Sequence, residues 1–318
     1  MSRTHAIPLS ARSRAAILAT SVVGLLAFVW PLLAPRGSEI LAHASDAPLL
    51  FGLLVPLLLA LTLSLVGEGA MGAKAIALLG VLAATSAALR ALGAGIAGLE
   101  PIWIVIVLGA YALGAGFGFV LGPVCILASA LLTGGVGPWL PFQMIAAAWV
   151  GLGAGLLAGR LPARVEIPLL AAYSTFAAVA YGWMLNLWFW PTATGLPEAL
   201  SFVPGAGPLT NVSHWFVFNL TTSLGYDLPR AALTCVAILL VGRRVLAALR
   251  RASRIAAFDA APVFVAAPAA GTAAVLDAAP TLDTVPSLDA APAVGSVPAV
   301  VAGLPPAATP LIDPEPSR

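Results

Sequence analysis

The feature that most constrains this chain is a series of apolar stretches, each long enough to cross a membrane as a helix. A hydrocarbon core about 30 Å thick requires roughly 20 apolar residues in helical form. The spans are predicted at 15–34, 48–66, 74–92, 101–113, 117–133, 142–158, 167–189 and 229–248. Because backbone groups in lipid must bond within their own segment, these eight spans predict an all-α polytopic membrane protein.

The charge and residue content excludes several other classes of protein. Only 9% of the residues are charged, whereas a soluble domain carries about a quarter. The net charge of +2 does not indicate binding to nucleic acid. Cys125 and Cys235 both lie inside apolar runs, so no disulfide is predicted. His5, His43 and His214 lack metal-ligand spacing, and no metal site or cofactor is predicted.

The distribution of lysine and arginine predicts the orientation of the spans. With eight spans, most basic residues fall on one side, and only Arg36, Arg90 and Arg230 fall on the other. We therefore predict a plasma-membrane protein with both termini in the cytoplasm. The residues on the cytoplasmic side are Arg3, Arg12, Arg14, Lys74, Arg160, Arg164, Arg243, Arg244, Arg250, Arg251 and Arg254.

The chain divides into three predicted parts. Residues 1–73 hold a pair of N-terminal spans, 74–254 hold the remaining six, and 255–318 form a tail. The tail begins with stretches such as "AAPVFVAAPAAGTAAVLDAAP", which have no helical or strand period and recurrent proline. Such a composition predicts a disordered cytoplasmic segment. The long loop 190–228 contains "NVSHWFVFNLTTSLGY", for which we predict an interfacial or partly inserted helix.

Glycine recurs every fourth residue in and beside the fifth and sixth spans. The positions are Gly114, Gly118 and Gly122 in one, and Gly151, Gly155 and Gly159 in the other. Small residues at this spacing line one face of a helix and let two backbones approach closely in lipid. We therefore predict tight packing of both spans against their neighbours.

Polar and aromatic residues gather at the predicted outer boundary of the membrane. Polar groups buried in a membrane are costly and tend to be functional. Aromatic walls that carry a few polar groups suit a small organic ligand. The candidate ligand-binding residues are Arg90, Glu100, Trp139, Gln143, Asn186, Trp188, Asp227 and Arg230.

Simpler roles remain open for several of these residues. Trp188 and its neighbour Trp190 suit an aromatic belt at the membrane interface. Arg90, at the end of the third span, suits a side chain that snorkels towards water. Asp227 suits a helix cap ahead of Pro229 in the first turn of the eighth span.

Three stretches of sequence carry a resemblance to a known family. They are "GFGFVLGPVCILASALLTGGVGPWLPFQMIAAAWVGLGAGLL" (116–157), "MLNLWFWP" (184–191) and "YDLPRAAL" (226–233). The region 74–250 resembles the substrate-binding S component of energy-coupling factor (ECF) vitamin transporters, in their actinobacterial branch. The resemblance implies a six-helix bundle that binds a vitamin-like small molecule near the outer face. It leaves cobalamin, riboflavin and other B vitamins open as ligands.

The resemblance also implies partners. S components dock on a separate transmembrane coupling protein (the T component), which is driven by two ABC-type ATPases. An Ala-x-x-x-Ala motif in their first helix touches the coupling protein, and Ala83 and Ala87 match it. Ala15 and Ala19 in the first span also fit the motif, so the docking assignment stays open.

The resemblance further implies that outer loops close over the ligand. The turn "LLTGGVGPWLPFQM" (131–144) then forms a nearly uncharged lid that carries Trp139. Its glycines permit tight backbone turns, while Pro138 and Pro141 hold the bend. A lid that is already stiff would bind with little ordering cost.

Two other functions compete with this one. A membrane-embedded enzyme acting on a lipid or isoprenoid would use Glu100, Asp227 and Arg230. The sequence has no nucleophile beside a base, so we predict that the chain is not an enzyme. A standalone secondary transporter should show internal repeats, and no convincing repeat relates the two halves; a scaffold subunit is the remaining alternative.

Overall fold

The computed structural model describes residues 9–33, 73–93 and 96–255, together with isolated positions between 52 and 64. All of these belong to one compact unit, Met1–Ala261. Every regular element in these ranges is helical, which confirms the all-α prediction. The helices are α1 (Ala11–Leu33), α2 (Ala73–Leu92), α3 (Ile102–Leu113), α4 (Ala115–Thr133), α5 (Leu140–Leu157), α6 (Glu166–Phe189), α7 (Pro208–Phe218) and α8 (Leu224–Ile255).

The observed helices follow the predicted spans closely. Six long apolar helical segments in the described ranges could cross a membrane, and α3 is a shorter apolar helix of 12 residues. The ends of α1 to α6 lie within four residues of the ends predicted from hydropathy. The predicted second span, 48–66, and all but the first residue of the predicted tail, 255–318, fall outside the described ranges.

The tight packing predicted for the two glycine-bearing spans is present, and the structure shows that α4 and α5 are each other's neighbour in it. A Cβ on Gly118 would overlap the carbonyl oxygen of Gly151, and one on Gly122 would overlap that of Ala147. Gly155 lies equally close to the backbone of Ala115. The two helices are therefore antiparallel and touch backbone to backbone, which only small residues permit.

The remaining helix directions follow from pairs of contacts. Helix α2 runs parallel to α4, because Leu82 on α2 and Leu121 on α4 both reach Gly109, and Arg90 bonds to Ser129. Helix α6 runs antiparallel to α8, because Gly182 faces Asp227 and Gly242 faces Ile167. Helix α1 runs antiparallel to α5: Trp149 Nε1 donates to Ser21 Oγ at 3.0 Å, and the rings of Phe28 and Phe142 are 5.3 Å apart.

These directions define two ends of the bundle. At one end, called the network end because Arg90, Glu100 and Arg230 meet there, α2, α4 and α6 finish while α3, α5 and α8 begin. At the opposite, basic end, α1, α2, α4 and α6 begin. The basic residues that were predicted to be cytoplasmic, where the structure describes them, all lie in helix segments or turns near the basic end. Arg90 and Arg230 lie at the network end. The basic residues that the sequence assigns to one side of the membrane therefore lie at one end of the bundle.

The loop before the last span differs from its prediction. A helix is present, as predicted, but α7 does not stop before α8 begins. A five-residue π-helical segment, Asn219–Ser223, joins the two, so that helical structure continues from Pro208 to Ile255. Asp227 therefore lies in the first turn of α8 and is not the N-cap of a helix that starts at Pro229.

Candidate functional site

Four charged side chains form one network at the network end, in which Arg230 and Asp227 are buried and Arg90 and Glu100 are half-buried. Arg230 Nε donates to Glu100 Oε2 at 2.6 Å, and Arg230 Nη1 donates to Asp227 Oδ1 at 2.8 Å. Arg90 lies 3.8 Å from the other Glu100 oxygen and donates to Ser129 Oγ at 2.9 Å. Two cations thus balance two anions, so the network has no net charge.

Neighbouring groups complete this network. Arg230 Nη1 also donates to the Ala178 carbonyl at 3.2 Å, and its guanidinium lies 5.4 Å from the centre of the Tyr181 ring. Ser223 Oγ donates to Asp227 Oδ2 at 2.6 Å, and Trp103 Nε1 donates to Glu100 Oε2 at 3.0 Å. Arg230 and Asp227 are only 7% and 1% exposed, so in lipid these charges depend on one another.

The loop before α3 brings Glu100 to the network. Burial is the largest single effect on the Glu100 carboxyl and by itself would raise its pKa, but the positive charge of Arg230 opposes it. The Trp103 hydrogen bond and the charge of Arg90 act in the same direction, and the net result is a lowered pKa. Glu100 is therefore ionised at neutral pH and acts as an acceptor only.

Two glycines make room for the network. Gly182 on α6 lies directly against the Asp227 carboxylate, and a Cβ there would overlap Oδ1. Gly98 has a φ of 72°, in the left-handed region that favours glycine, and a Cβ there would overlap the Tyr226 carbonyl. The loop and α6 can therefore approach α8 closely only because these two residues lack side chains.

Asn186 takes part in a second polar contact. Its Nδ2 donates to Asn219 Oδ1 at 2.7 Å, and Asn219 Nδ2 donates to the Trp215 carbonyl at 2.7 Å. Asn219 is fully buried and opens the π-helical segment. Single π turns inside α-helices occur frequently at functional sites. Trp188, one turn from the pair, packs its ring 5.5 Å from that of Phe142 on α5.

The turn that carries Trp139 bonds to itself. Trp139 Nε1 donates to the Gly135 carbonyl at 3.2 Å, and the indole covers Gly137 so closely that a Cβ there would overlap it. The Gly135 N–H in turn bonds to the Ala130 carbonyl at 2.9 Å. Trp139 remains 42% exposed, so a stiff turn presents an aromatic surface outward. Gln143, half-buried in the first turn of α5, sits beside it.

Trp190 does not act as a belt residue at the membrane surface. Its ring is fully buried between Phe202 and Phe218, and Nε1 donates to the Leu200 carbonyl at 2.6 Å. Asn211 bonds to both backbone groups of Val203. The loop between α6 and α7 is therefore folded onto the helices at the network end by specific contacts.

The eight predicted ligand-binding residues thus share one end of the bundle, but they do not form one contact group. Arg90, Glu100, Asp227 and Arg230 bond within the network, and Arg90 does not snorkel. Asn186 bonds to Asn219 instead, and Trp139 to its own turn. Trp188 and Gln143 lie on neighbouring helices, α6 and α5.

The predicted docking alanines are buried in the bundle. Ala83 and Ala87 are 5% and 6% exposed, on the face of α2 that packs against its own neighbours. A separate protein could reach them only if α2 moved away, so their docking role stays a prediction. The adjacent Ala84 and Ala88 are among the alanines that α2 presents outward.

Two adjoining cavities lie along α6, with volumes of about 190 Å³ and about 330 Å³. They share Phe176, Ala180 and Met184 in their walls. Tyr181, which contacts Arg230 in the network, lines the smaller one. Trp183 and Trp215 line the larger one. We call the pair the lateral cavity.

Sequence reasoning missed a second buried ion pair at the basic end. Tyr111 Oη donates to Glu166 Oε1 at 2.7 Å, and Arg250 donates to both Glu166 oxygens. The Arg250 guanidinium also lies 5.7 Å from the centre of the Tyr111 ring. The available signal was a glutamate at the very start of an apolar span, a position that is costly without a partner. The prediction for Arg250 is only that it lies on the cytoplasmic side of the membrane.

Comparisons of the chain with models of protein families, with curated proteins and with solved structures find no match.

Proposed function

We propose that this chain is the substrate-binding membrane subunit of an importer of the ECF type, which captures a vitamin-like small molecule at its network end. The observation that carries the proposal is the convergence there of all eight candidate residues, from α2, α5, α6, α8 and the connecting turns. The six helices α2 to α6 and α8 correspond in number to the bundle that the sequence resemblance implies. Under this proposal the network end faces outward and both termini are cytoplasmic.

The network supports a role in binding and not in catalysis. Glu100, Asp227 and Arg230 are the residues that an enzyme acting on a lipid or isoprenoid would use. Arg230 bonds to both Glu100 and Asp227, at 2.6 and 2.8 Å, so both carboxylates are engaged in ion pairs. A neutral network whose members are fixed by hydrogen bonds is suited to holding the surrounding segments in place around a binding site.

The ligand would meet aromatic and amide groups more than charges. The exposed indole of Trp139 is carried by a turn that is already bonded to itself, so its ordering on binding costs little. Asn186, Gln143 and Trp188 supply further polar and aromatic surface on the adjoining helices. We propose a ligand without a strong net charge, because the four charged residues neutralise one another.

Energy for transport must come from partners. We propose a transmembrane coupling protein and two ABC-type ATPases, as the sequence resemblance implies. Affinity purification of the chain from its native membrane should then recover proteins of both kinds. Recovery of neither, from a sample that still binds its small molecule, would favour a standalone transporter or a scaffold.

Mass spectrometry of the purified protein tests the binding function. A small organic molecule should co-purify, and titration of the stripped protein with cobalamin, riboflavin and other B vitamins should identify a ligand with an affinity of about micromolar or better. Trp139→Ala should weaken binding about tenfold, as expected for one lost aromatic contact. Leu240→Ala, at an exposed site in the middle of α8, is the matched control and should change nothing.

A further inference from the structure

We propose that α8 carries a binding site for an anionic phospholipid at the basic end of the bundle. The headgroup phosphate binds to Arg243, Arg244 and Arg251, which we call the basic stripe. An acyl chain of the same lipid lies along Val236 and Leu240. The site shares no residue with the eight proposed above and does not depend on the importer function.

The first argument concerns the helical positions of the stripe. An α-helix has 3.6 residues per turn, so residues seven apart lie nearly one above the other. Arg244 and Arg251 are seven apart and Arg243 adjoins Arg244, so all three lie on one side of α8, where all three are exposed. A rise of 1.5 Å per residue separates the two rows of guanidinium groups by about 10 Å along the helix.

Small side chains lie between the two rows of arginines. Ala247 and Ala248 occupy the intervening turn of α8, and both are exposed. A headgroup can therefore approach the helix closely between Arg244 and Arg251, with cations on either side of it. A bulky residue at either alanine would occupy this space.

The second argument concerns charge. The nearby Arg250 is paired with Glu166, since it donates to both carboxylate oxygens. Within the described part of the chain, the three arginines of the stripe form no ion pair. Arginine binds phosphate oxygens through two parallel, charge-assisted hydrogen bonds. The stripe therefore suits a phosphate group that comes from outside the bundle.

The third argument concerns the surface next to the stripe and selects a lipid over a soluble anion. Val236 is seven residues before Arg243, and Leu240 is four before Arg244, so they lie on the same side of α8. They are 52% and 74% exposed in a membrane-spanning helix, where an exposed apolar side chain faces acyl chains. Arg243 and Arg244 are the first charged residues of α8 after Arg230, so they lie where the hydrocarbon region ends.

A phospholipid matches both parts of this surface, because it joins a phosphate covalently to acyl chains. Basic residues immediately beyond a membrane-spanning segment attract anionic lipids. An acidic segment of a protein in water could reach the arginines, but it would leave the apolar surface of Val236 and Leu240 unused. The continuity of the two surfaces on one side of α8 therefore favours the lipid.

The test uses the full chain in detergent and measures retained lipids by native mass spectrometry. Phosphatidylglycerol is compared with phosphatidylcholine that carries the same acyl chains, because the two headgroups differ in net charge. Each basic residue near a membrane surface contributes about fivefold in affinity for anionic lipid. Wild-type protein should therefore retain phosphatidylglycerol about tenfold or more in preference to phosphatidylcholine.

Paired substitutions connect this preference to the stripe. Arg243→Gln/Arg244→Gln removes two charges and should weaken retention of phosphatidylglycerol by about tenfold or more, with phosphatidylcholine unaffected. Arg12→Gln/Arg14→Gln is the matched control, because it removes two exposed arginines at the same end of the bundle, but from α1. The control should keep the preference.

A second pair of variants tests the space between the rows without a change of charge. Ala247→Leu places bulk between Arg244 and Arg251 and should reduce retention of phosphatidylglycerol. Ala252→Leu makes the same substitution at an exposed position of α8 outside the stripe, and it should leave retention unchanged.

Each outcome decides the proposal. A preference for phosphatidylglycerol that only the stripe variants lose supports it. Equal retention of the two lipids by wild-type protein overturns it, and an acidic protein segment then becomes the better candidate for the stripe. A preference that survives Arg243→Gln/Arg244→Gln, or that the α1 variant loses equally, shows diffuse attraction to the basic end and also overturns it.

Glycerol phosphate, which has a phosphate but no acyl chain, separates a lipid from a soluble phosphate. Displacement of phosphatidylglycerol by an equal concentration of glycerol phosphate would identify a soluble phosphate as the occupant and overturn the lipid proposal. The comparison of lipids on wild-type protein needs no variant to fold. Vitamin binding is measured separately, so either proposal can fail without the other.

Discussion

Arg230 on α8 and Glu100 in the loop before α3 are 130 residues apart in sequence, yet they meet at 2.6 Å in a partly buried, charge-assisted hydrogen bond. Arg230 also bonds to Asp227 in the first turn of α8, and Glu100 lies close to Arg90 at the end of α2. Three segments of the chain are therefore held together at one end of the bundle by charges that balance.

Removal of Arg230 should destabilise the protein strongly. Arg230→Gln leaves Glu100 and Asp227 without their closest cation, and a broken buried pair typically costs about 3 to 5 kcal/mol. Thermal unfolding in detergent should show a markedly lower Tm. The double variant Glu100→Gln/Arg230→Gln should regain part of the loss, because it no longer leaves the Glu100 charge without its cation. A Tm within error of wild type for Arg230→Gln would show that the network contributes little.

Stability should fall in acid through Glu100. The pKa of its carboxyl is lowered from 4.5 in the folded protein, so the unfolded chain takes up this proton first as the pH decreases. The contribution of ionised Glu100 is therefore complete above pH 4.5 and is lost as the pH falls through the folded pKa. A scan of Tm from about pH 7 to about pH 3 should be flatter for Glu100→Gln than for wild type. Parallel curves would contradict this assignment.

The contact between α4 and α5 should tolerate no added side chain. Gly118→Ala places a methyl group against the carbonyl of Gly151 and forces the two backbones apart. We expect a loss of about 2 kcal/mol or more, in the range of overpacked cores. Gly80→Ala is the control, because among the described residues no atom outside its own helix backbone lies within 4 Å of the added Cβ. It should leave Tm unchanged or raise it slightly, since alanine favours a helix.

The ion pair at the basic end should also contribute to stability. Glu166→Gln keeps an acceptor for Tyr111 but loses the charge that attracts Arg250. Because Glu166 is 8% exposed, we expect a cost of about 1 to 3 kcal/mol, the range for hydrogen bonds to charged groups. Glu198→Gln, in an exposed short turn, provides the comparison and should leave the unfolding free energy unaltered. Equal effects of the two substitutions would argue against a buried pair.

The membrane architecture was predictable from local sequence alone. A segment in lipid must satisfy its own backbone groups, so hydropathy and length suffice to locate a helix. The ends of α2 and α3 were predicted to within one residue for this reason. The glycine repeats likewise predicted that α4 and α5 pack tightly, because glycines on one face allow close approach in lipid. That the two helices pack on each other was not predicted.

Tertiary structure decided what the polar residues do. Sequence placed Glu100, Asp227 and Arg230 near one boundary, but their pairing depends on how α3, α6 and α8 pack, which no local pattern encodes. The same packing turned Ala83 and Ala87 inward and paired Glu166 with Arg250. Hydropathy is a property of each segment, so the spans could be predicted from the sequence. A buried charge acquires its partner only when distant segments meet, so the network could not be predicted.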